Sequence, residues 1–163
     1  MEYLNGDYSD YTLEREKHGR TSFLHGPEDV LFADGMLLVS SHYNNSVLAL
    51  DPSTGTIEAV FQGPIEGPMG LALDRDKHTL FVTSYRSKSV TRFDVQTGEY
   101  TGIAVRDPHL LGPSSMTLLE DGSMLVAAYE ASALLLFNCT AGWARMLVLE
   151  GGRRLARIRG SDM

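Results

Sequence analysis

Three short loops carry the residue types most capable of chemistry in this chain: His42-Tyr43-Asn44-Asn45, Tyr85-Arg86-Ser87-Lys88 and Tyr129-Glu130-Ala131-Ser132. Aligned on Tyr43, Tyr85 and Tyr129, 42 and 44 residues apart, they offer in turn an imidazole, a guanidinium and a carboxylate. Such a set suits holding a small polar ligand or a peptide. The candidate ligand-binding residues are therefore His42, Tyr43, Asn44, Tyr85, Arg86, Tyr129 and Glu130, with His42 the histidine best suited to contact a ligand or act as a base. The tyrosines also have a purely structural reading, as aromatic bodies covering an edge with the hydroxyl in water.

Other constellations carry less. Glu28-Asp29, Met69-Gly70 and Ser114-Ser115 recur after Gly-Pro pairs, but only the first supplies acids, whereas a hard cation wants several converging oxygen ligands. The five histidines, at 18, 25, 42, 78 and 109, have neither the i, i+4 spacing of a helical zinc motif nor a Cys pair nearby. Ser40-Ser41 and Ser114-Ser115 lack the Gly-x-Ser-x-Gly elbow that exposes a nucleophile. No glycine-rich loop stands between a strand and a helix to cradle phosphate. No catalytic residue, no metal set and no cofactor is expected.

Composition sets the bounds. The 163 residues are 43% hydrophobic and 21% charged, enough for a sizeable buried core. The net charge is −7, and because the last eleven residues hold four Arg against one Asp, the rest stands at −10. An acidic body argues against nucleic acid as the partner. No apolar run reaches the ~20 residues of a membrane span, so no membrane partner is expected. Cys139 is the only cysteine and reads as a half-buried strand thiol.

The elements that must position the loops repeat with a period of about 43 residues. Units open at Gly26-Pro27, Gly67-Pro68 and Gly112-Pro113. In each, an apolar strand, a turn such as Asp34-Gly35 and a second strand (Met36 to Ser41, Thr79 to Ser84, Ser123 to Ala128) lead into the loop. A third strand then ends in Asp51-Pro52-Ser53-Thr54-Gly55, Asp94-Val95-Gln96-Thr97-Gly98 or Asn138-Cys139-Thr140-Ala141-Gly142, and a fourth follows. Asp or Asn can accept backbone N–H groups ahead of it and the Gly can take positive φ, so Gly55, Gly98 and Gly142 should close hairpins. Helical repeats are excluded by the period-two alternation and by a Gly or Pro within about seven residues of each segment. Only Tyr11 to His18 has helical character, and it reads equally as a charged outer strand or a disordered lead-in.

The run Leu38-Val39-Ser40-Ser41 to Asn44-Asn45-Ser46-Val47 closing in Asp-x-x-Thr-Gly resembles the NHL-type and YVTN-type β-propeller repeats, and Leu80-Phe81-Val82-Thr83-Ser84 with Ser89 to Asp94 is similar to the YVTN form. The resemblance spans roughly Gly26 to Gly151 and implies a ring of six or seven blades. It hosts binding scaffolds, lactonases and lyases alike, so it selects no function. The expected fold is an all-β propeller of four-stranded antiparallel blades, present as an open arc of about three: 26–66, 67–111 and 112–151, after a lead-in over 1–22 and before a basic tail over 152–163. The expected function is non-catalytic binding of a protein or small polar ligand at the loop rim. The alternative is a metal-dependent hydrolase, lactonase or lyase, whose metal ligands do not map onto this chain. An arc leaves apolar faces at both ends, which calls for further blades or a homodimer.

Overall fold

The computed structural model describes residues 24–76 and 78–138, and the backbone of two strands beyond them; the lead-in, the Tyr11 to His18 stretch, Cys139 and Gly142 lie outside the described residues. Three antiparallel sheets follow one another along the chain. Blade 1 comprises β1 (Pro27–Ala33), β2 (Met36–Ser41), β3 (Ser46–Leu50) and β4 (Ile57–Phe61); blade 2 comprises β5 (Pro68–Leu73), β6 (Thr79–Ser84), β7 (Ser89–Asp94) and β8 (Tyr100–Arg106). Blade 3 holds β9 (Pro113–Leu118), β10 (Met124–Ala128), β11 (Ala133–Asn138) and β12 (Trp143–Leu147), to which β13 (Arg157–Ile158) adds a fifth strand from within the basic tail. Strand order equals chain order in every sheet, as short hairpin connections require.

The Asp-x-x-Thr-Gly turns form as their chemistry dictates. Asp51 Oδ1 accepts from the Ser53 and Thr54 N–H groups at 2.7 and 3.1 Å, and Asp94 Oδ1 accepts from Gln96 and Thr97 at 3.0 and 2.8 Å. Gly55 and Gly98 close these hairpins at φ 71° and 72°.

The core lies between blades. Ala33, Leu38, Val47, Ala49 and Phe61 of blade 1 meet Leu71, Leu80, Val82 and Phe93 of blade 2 in one cluster. Val90 and Val105 of blade 2 meet Met124, Val126, Leu135 and Phe137 of blade 3 in a second. Alternation along each strand sends neighbouring residues to opposite faces, so a central blade is apolar on both. That accounts for strands as apolar as Leu80-Phe81-Val82.

All three first strands break register at the same place. Pro27 pairs with Ser41 but Val30 with Val39; Pro68 pairs with Ser84 but Leu71 with Val82; Pro113 pairs with Ala128 but Met116 with Val126. Each break is a bulge that takes two residues out of the ladder.

Candidate functional site

The 2–3 loops are placed by the Gly-Pro pairs. His42, Tyr85 and Tyr129 each donate their backbone N–H to the carbonyl of Gly26, Gly67 and Gly112 respectively, at 2.9 to 3.0 Å. The next residues, Tyr43, Arg86 and Glu130, donate to His25, Glu66 and Leu111. Structural equivalence therefore runs His42, Tyr85, Tyr129, and the alignment on Tyr43 is corrected by one residue. The repeated tyrosine was the stronger local signal, but the hydrogen-bond register decides, and it gives more even spacings of 43 and 44.

This register explains the glycines. His42 of blade 1 lies over Gly67 of blade 2, where a Cβ would stand 2.7 Å from its Cε1. Tyr85 of blade 2 lies over Gly112 of blade 3 in the same way, with a Cβ 2.9 Å from the ring and 2.8 Å from Glu130 Cγ. Both glycines have positive φ as well, so a side chain there would meet strain and collision together. Each loop thus sits on the next blade.

The expected residues come together as one row across the three blades. The Tyr43 ring lies 4.9 Å from that of His25 and 5.0 Å from that of His42. His42 is half-buried, and its Nε2 is 3.5 Å from Arg86 Nη2. For that contact to be a hydrogen bond Nε2 must accept, which puts the ring proton on Nδ1, a buried atom with no hydrogen-bond partner among the described residues. Arg86 is exposed, and among the described residues it pairs with no carboxylate. Further along, the Glu130 carboxylate beside the Tyr85 hydroxyl raises that phenol above its ordinary pKa, through hydrogen bonding first, then burial and charge. Tyr129 ends the row, 73% exposed. Asn44 is exposed on its loop.

Asn45 ties the two blades together, its Oδ1 accepting the Gly67 N–H at 2.8 Å. It occupies the left-handed region at φ 53°, as do the equivalent Lys88 and Ser132 at 53° and 49°. Asn in a loop signals this conformation; Lys and Ser do not, which hid the recurrence. His25 was also missed, having no counterpart in the other units.

Beside the row, at the Gly-Pro ends of β1, β5 and β9, the three bulges line a cleft of about 190 Å³ formed by Glu28, Asp29, Met69, Gly70, Ser114 and Ser115. The Asp29 N–H donates to Ser40 Oγ at 2.9 Å and the Gly70 N–H to Thr83 Oγ1 at 2.7 Å, so side chains satisfy the groups the bulges release. Asp29 spends its carboxylate on the backbone, Oδ1 accepting from Val30 and Oδ2 from Leu71 across the blade boundary at 2.8 Å. Glu28 is exposed and makes no polar contact with the described residues. Among those residues no three His, Cys, Asp or Glu side chains converge as a metal site would need.

Solved structures share the architecture. Hydrazine synthase of Kuenenia stuttgartiensis superposes with a TM-score of 0.62 at 21% identity, over 86% of this chain and 37% of that one. A catalytically inactive variant of virginiamycin B lyase from Staphylococcus aureus, with quinupristin, gives 0.63 at 17% identity over 80% and 43%, and a streptogramin B lyase gives 0.63 at 17% over 79% and 43%. The chain thus spans less than half the length of these proteins. No protein-family model matches the sequence, and no curated protein does. At such identities the likeness shows fold alone, and with the three sheets described above it makes this chain an arc of β-propeller blades.

Proposed function

We propose that the arc is a binding module whose loop rim takes a polar ligand or peptide through a carboxylate. The observation that carries this reading is the exposed Arg86 guanidinium beside the His42 imidazole, between Tyr43 and Tyr85. A planar guanidinium without a carboxylate partner is suited to bidentate recognition of one. Flanking aromatic rings add apolar contact at low conformational cost. Tyr85 and Glu130 extend the row and offer a second polar anchor for a ligand lying along the rim. The likeness to a lyase is one of fold, and enzymes and scaffolds share this fold.

Nitrogen-15 NMR titration with a pool of tripeptides bearing free α-carboxylates, against the same pool amidated, tests the reading. Saturable shifts at residues 42–44, 85–87 and 129–131 are expected with the free acids and weaker ones with the amides. The double variant Arg86→Ala with Glu130→Ala should lose them while its stability stays within about 0.5 kcal/mol, as for exposed positions. Shifts that are absent at millimolar peptide, or that survive the double substitution, would make the rim a bystander.

A further inference from the structure

In the register fixed by the backbone hydrogen bonds, Tyr43 of blade 1, Arg86 of blade 2 and Glu130 of blade 3 are equivalent, each donating its N–H one place beyond the tie to the Gly-Pro pair. Adjacent blades therefore carry opposite charges at one and the same position of the rim. Both side chains are exposed, and neither has an opposite charge within ion-pair distance among the described residues, where the ion pair found joins Asp107 to His109 at 3.0 Å. Glu66, whose carbonyl accepts the Arg86 N–H, is exposed as well, and its carboxylate does not reach the guanidinium.

The two charged groups stay apart because their side chains lean the same way around the arc. Arg86 Nη2 reaches back to within 3.5 Å of His42 Nε2 on blade 1. Glu130 reaches back toward blade 2, for its Cγ and the Tyr85 ring stand 2.8 and 2.9 Å from the place a Cβ on Gly112 would take. Blades 2 and 3 pack face to face through Val90, Val105, Met124 and Val126, and sheets packed in this way are spaced by about 10 Å. A guanidinium and a carboxylate about one such spacing apart, each without a partner of opposite charge, match a ligand that is itself charged at both ends. An extended chain advances at most about 3.3–3.6 Å per residue, so a single amino acid falls short of the gap and three residues cover it.

We propose that the occupant of the rim is a short zwitterionic peptide of about three residues, its α-carboxylate on Arg86 and its α-ammonium on Glu130, so that it runs from blade 3 to blade 2 in the N-to-C direction. The inference rests on carboxylate recognition at Arg86 and adds to it a second charge, a length and a direction. An ammonium brings three donors to the Glu130 carboxylate, which accepts only. A ligand with a second carboxylate in place of the ammonium meets like charge there and is rejected.

Titration of the nitrogen-15-labelled 163-residue chain with trialanine and with N-acetyl-trialanine tests the proposal by NMR. Trialanine should give saturable shifts at residues 85–87 and 129–131 together. Acetylation removes the ammonium and keeps the carboxylate, so the acetylated peptide should bind about two- to fivefold more weakly, as for loss of an exposed charge pair, and should shift residues 85–87 alone. Glu130→Gln keeps the shape of the side chain and should erase the difference between the two peptides; Glu130→Lys should invert it. The comparison of the two peptides on the parent chain depends on no variant folding. Equal binding of both by the parent chain, with shifts that Arg86→Ala abolishes, would overturn the zwitterion and leave carboxylate recognition standing. A preference for trialanine that survives Glu130→Gln would place the ammonium elsewhere and overturn it too. Saturable shifts with neither peptide would overturn both readings.

Discussion

At the tips of the 3–4 hairpins of blades 1 and 2 a single carboxylate does what a longer turn would otherwise need several residues for. Asp51 is held below its ordinary pKa by the Ser53 hydroxyl first and then by backbone N–H groups, and Asp94 by the Thr97 backbone and hydroxyl. A folded-state pKa below the unfolded one stabilises the fold above the unfolded value, about 3.9 for Asp, and that contribution disappears as pH falls through the folded value. Thermal midpoints should therefore fall below about pH 4, and Asp94→Asn should flatten that fall while lowering stability at neutral pH; an unchanged acid slope would show that these hydrogen bonds do not form. Gly98 adds a second constraint, for a Cβ there would stand 3.0 Å from the Phe61 ring and force a side chain into φ 72°. Gly98→Val should cost on the order of 1 kcal/mol or more in denaturant unfolding. Both features were legible in the sequence, because Asp-x-x-Thr-Gly names its own hydrogen bonds. The register of the 2–3 loops was not, since Tyr43 imitates Tyr85 one residue out of place and the backbone hydrogen bonds of His42 to Gly26 and of Tyr85 to Gly67 are what distinguish them.

Strands two and three of each blade follow closely from alternation and turn residues, and Met36–Ser41, Thr79–Ser84 and Ser46–Leu50 fall where the pattern places them. First strands behave differently. Their bulges at Glu28-Asp29, Met69-Gly70 and Ser114-Ser115 share no residue type, so nothing in the pattern announces them, and the cleft they line could be foreseen only as a recurring position after Gly-Pro. Thr83 shows how the bulge is stabilised. Its buried hydroxyl accepts from the Gly70 N–H at 2.7 Å and donates to the Ser114 carbonyl of the next blade at 2.7 Å. Thr83→Val keeps the shape and removes both bonds, leaving a buried donor and acceptor unsatisfied at a cost of about 1–3 kcal/mol. Chemical denaturation should register that loss, with no change in the circular dichroism of the native state. Equal stability of the variant and the parent would mean that water or backbone adjustment replaces the hydroxyl.

Across the molecule, blades are joined by the same devices at each boundary: an apolar cluster, a loop residue seated on the next Gly-Pro, and a side chain reaching a backbone group of the neighbour. Asp29 to Leu71 and Asn45 to Gly67 join blades 1 and 2; Thr83 to Ser114 and the Arg75 guanidinium to the Glu120 carbonyl join blades 2 and 3. The period of the sequence was enough to foresee three blades in order. It could not show which loop residue crosses a boundary, because that depends on a close approach between segments 22 or more residues apart. The rim exists as one surface only if these crossings hold together. Nuclear Overhauser spectroscopy tests this most directly, through the aromatic protons of His42 and Tyr85. His42 Hε1 should show a cross-peak to the Gly67 Hα protons and the Tyr85 ring to those of Gly112, both between blades, in the same sample. Peaks from His42 to Gly26 and from Tyr85 to Gly67 in their place would confine each loop to its own blade and contradict the continuous rim.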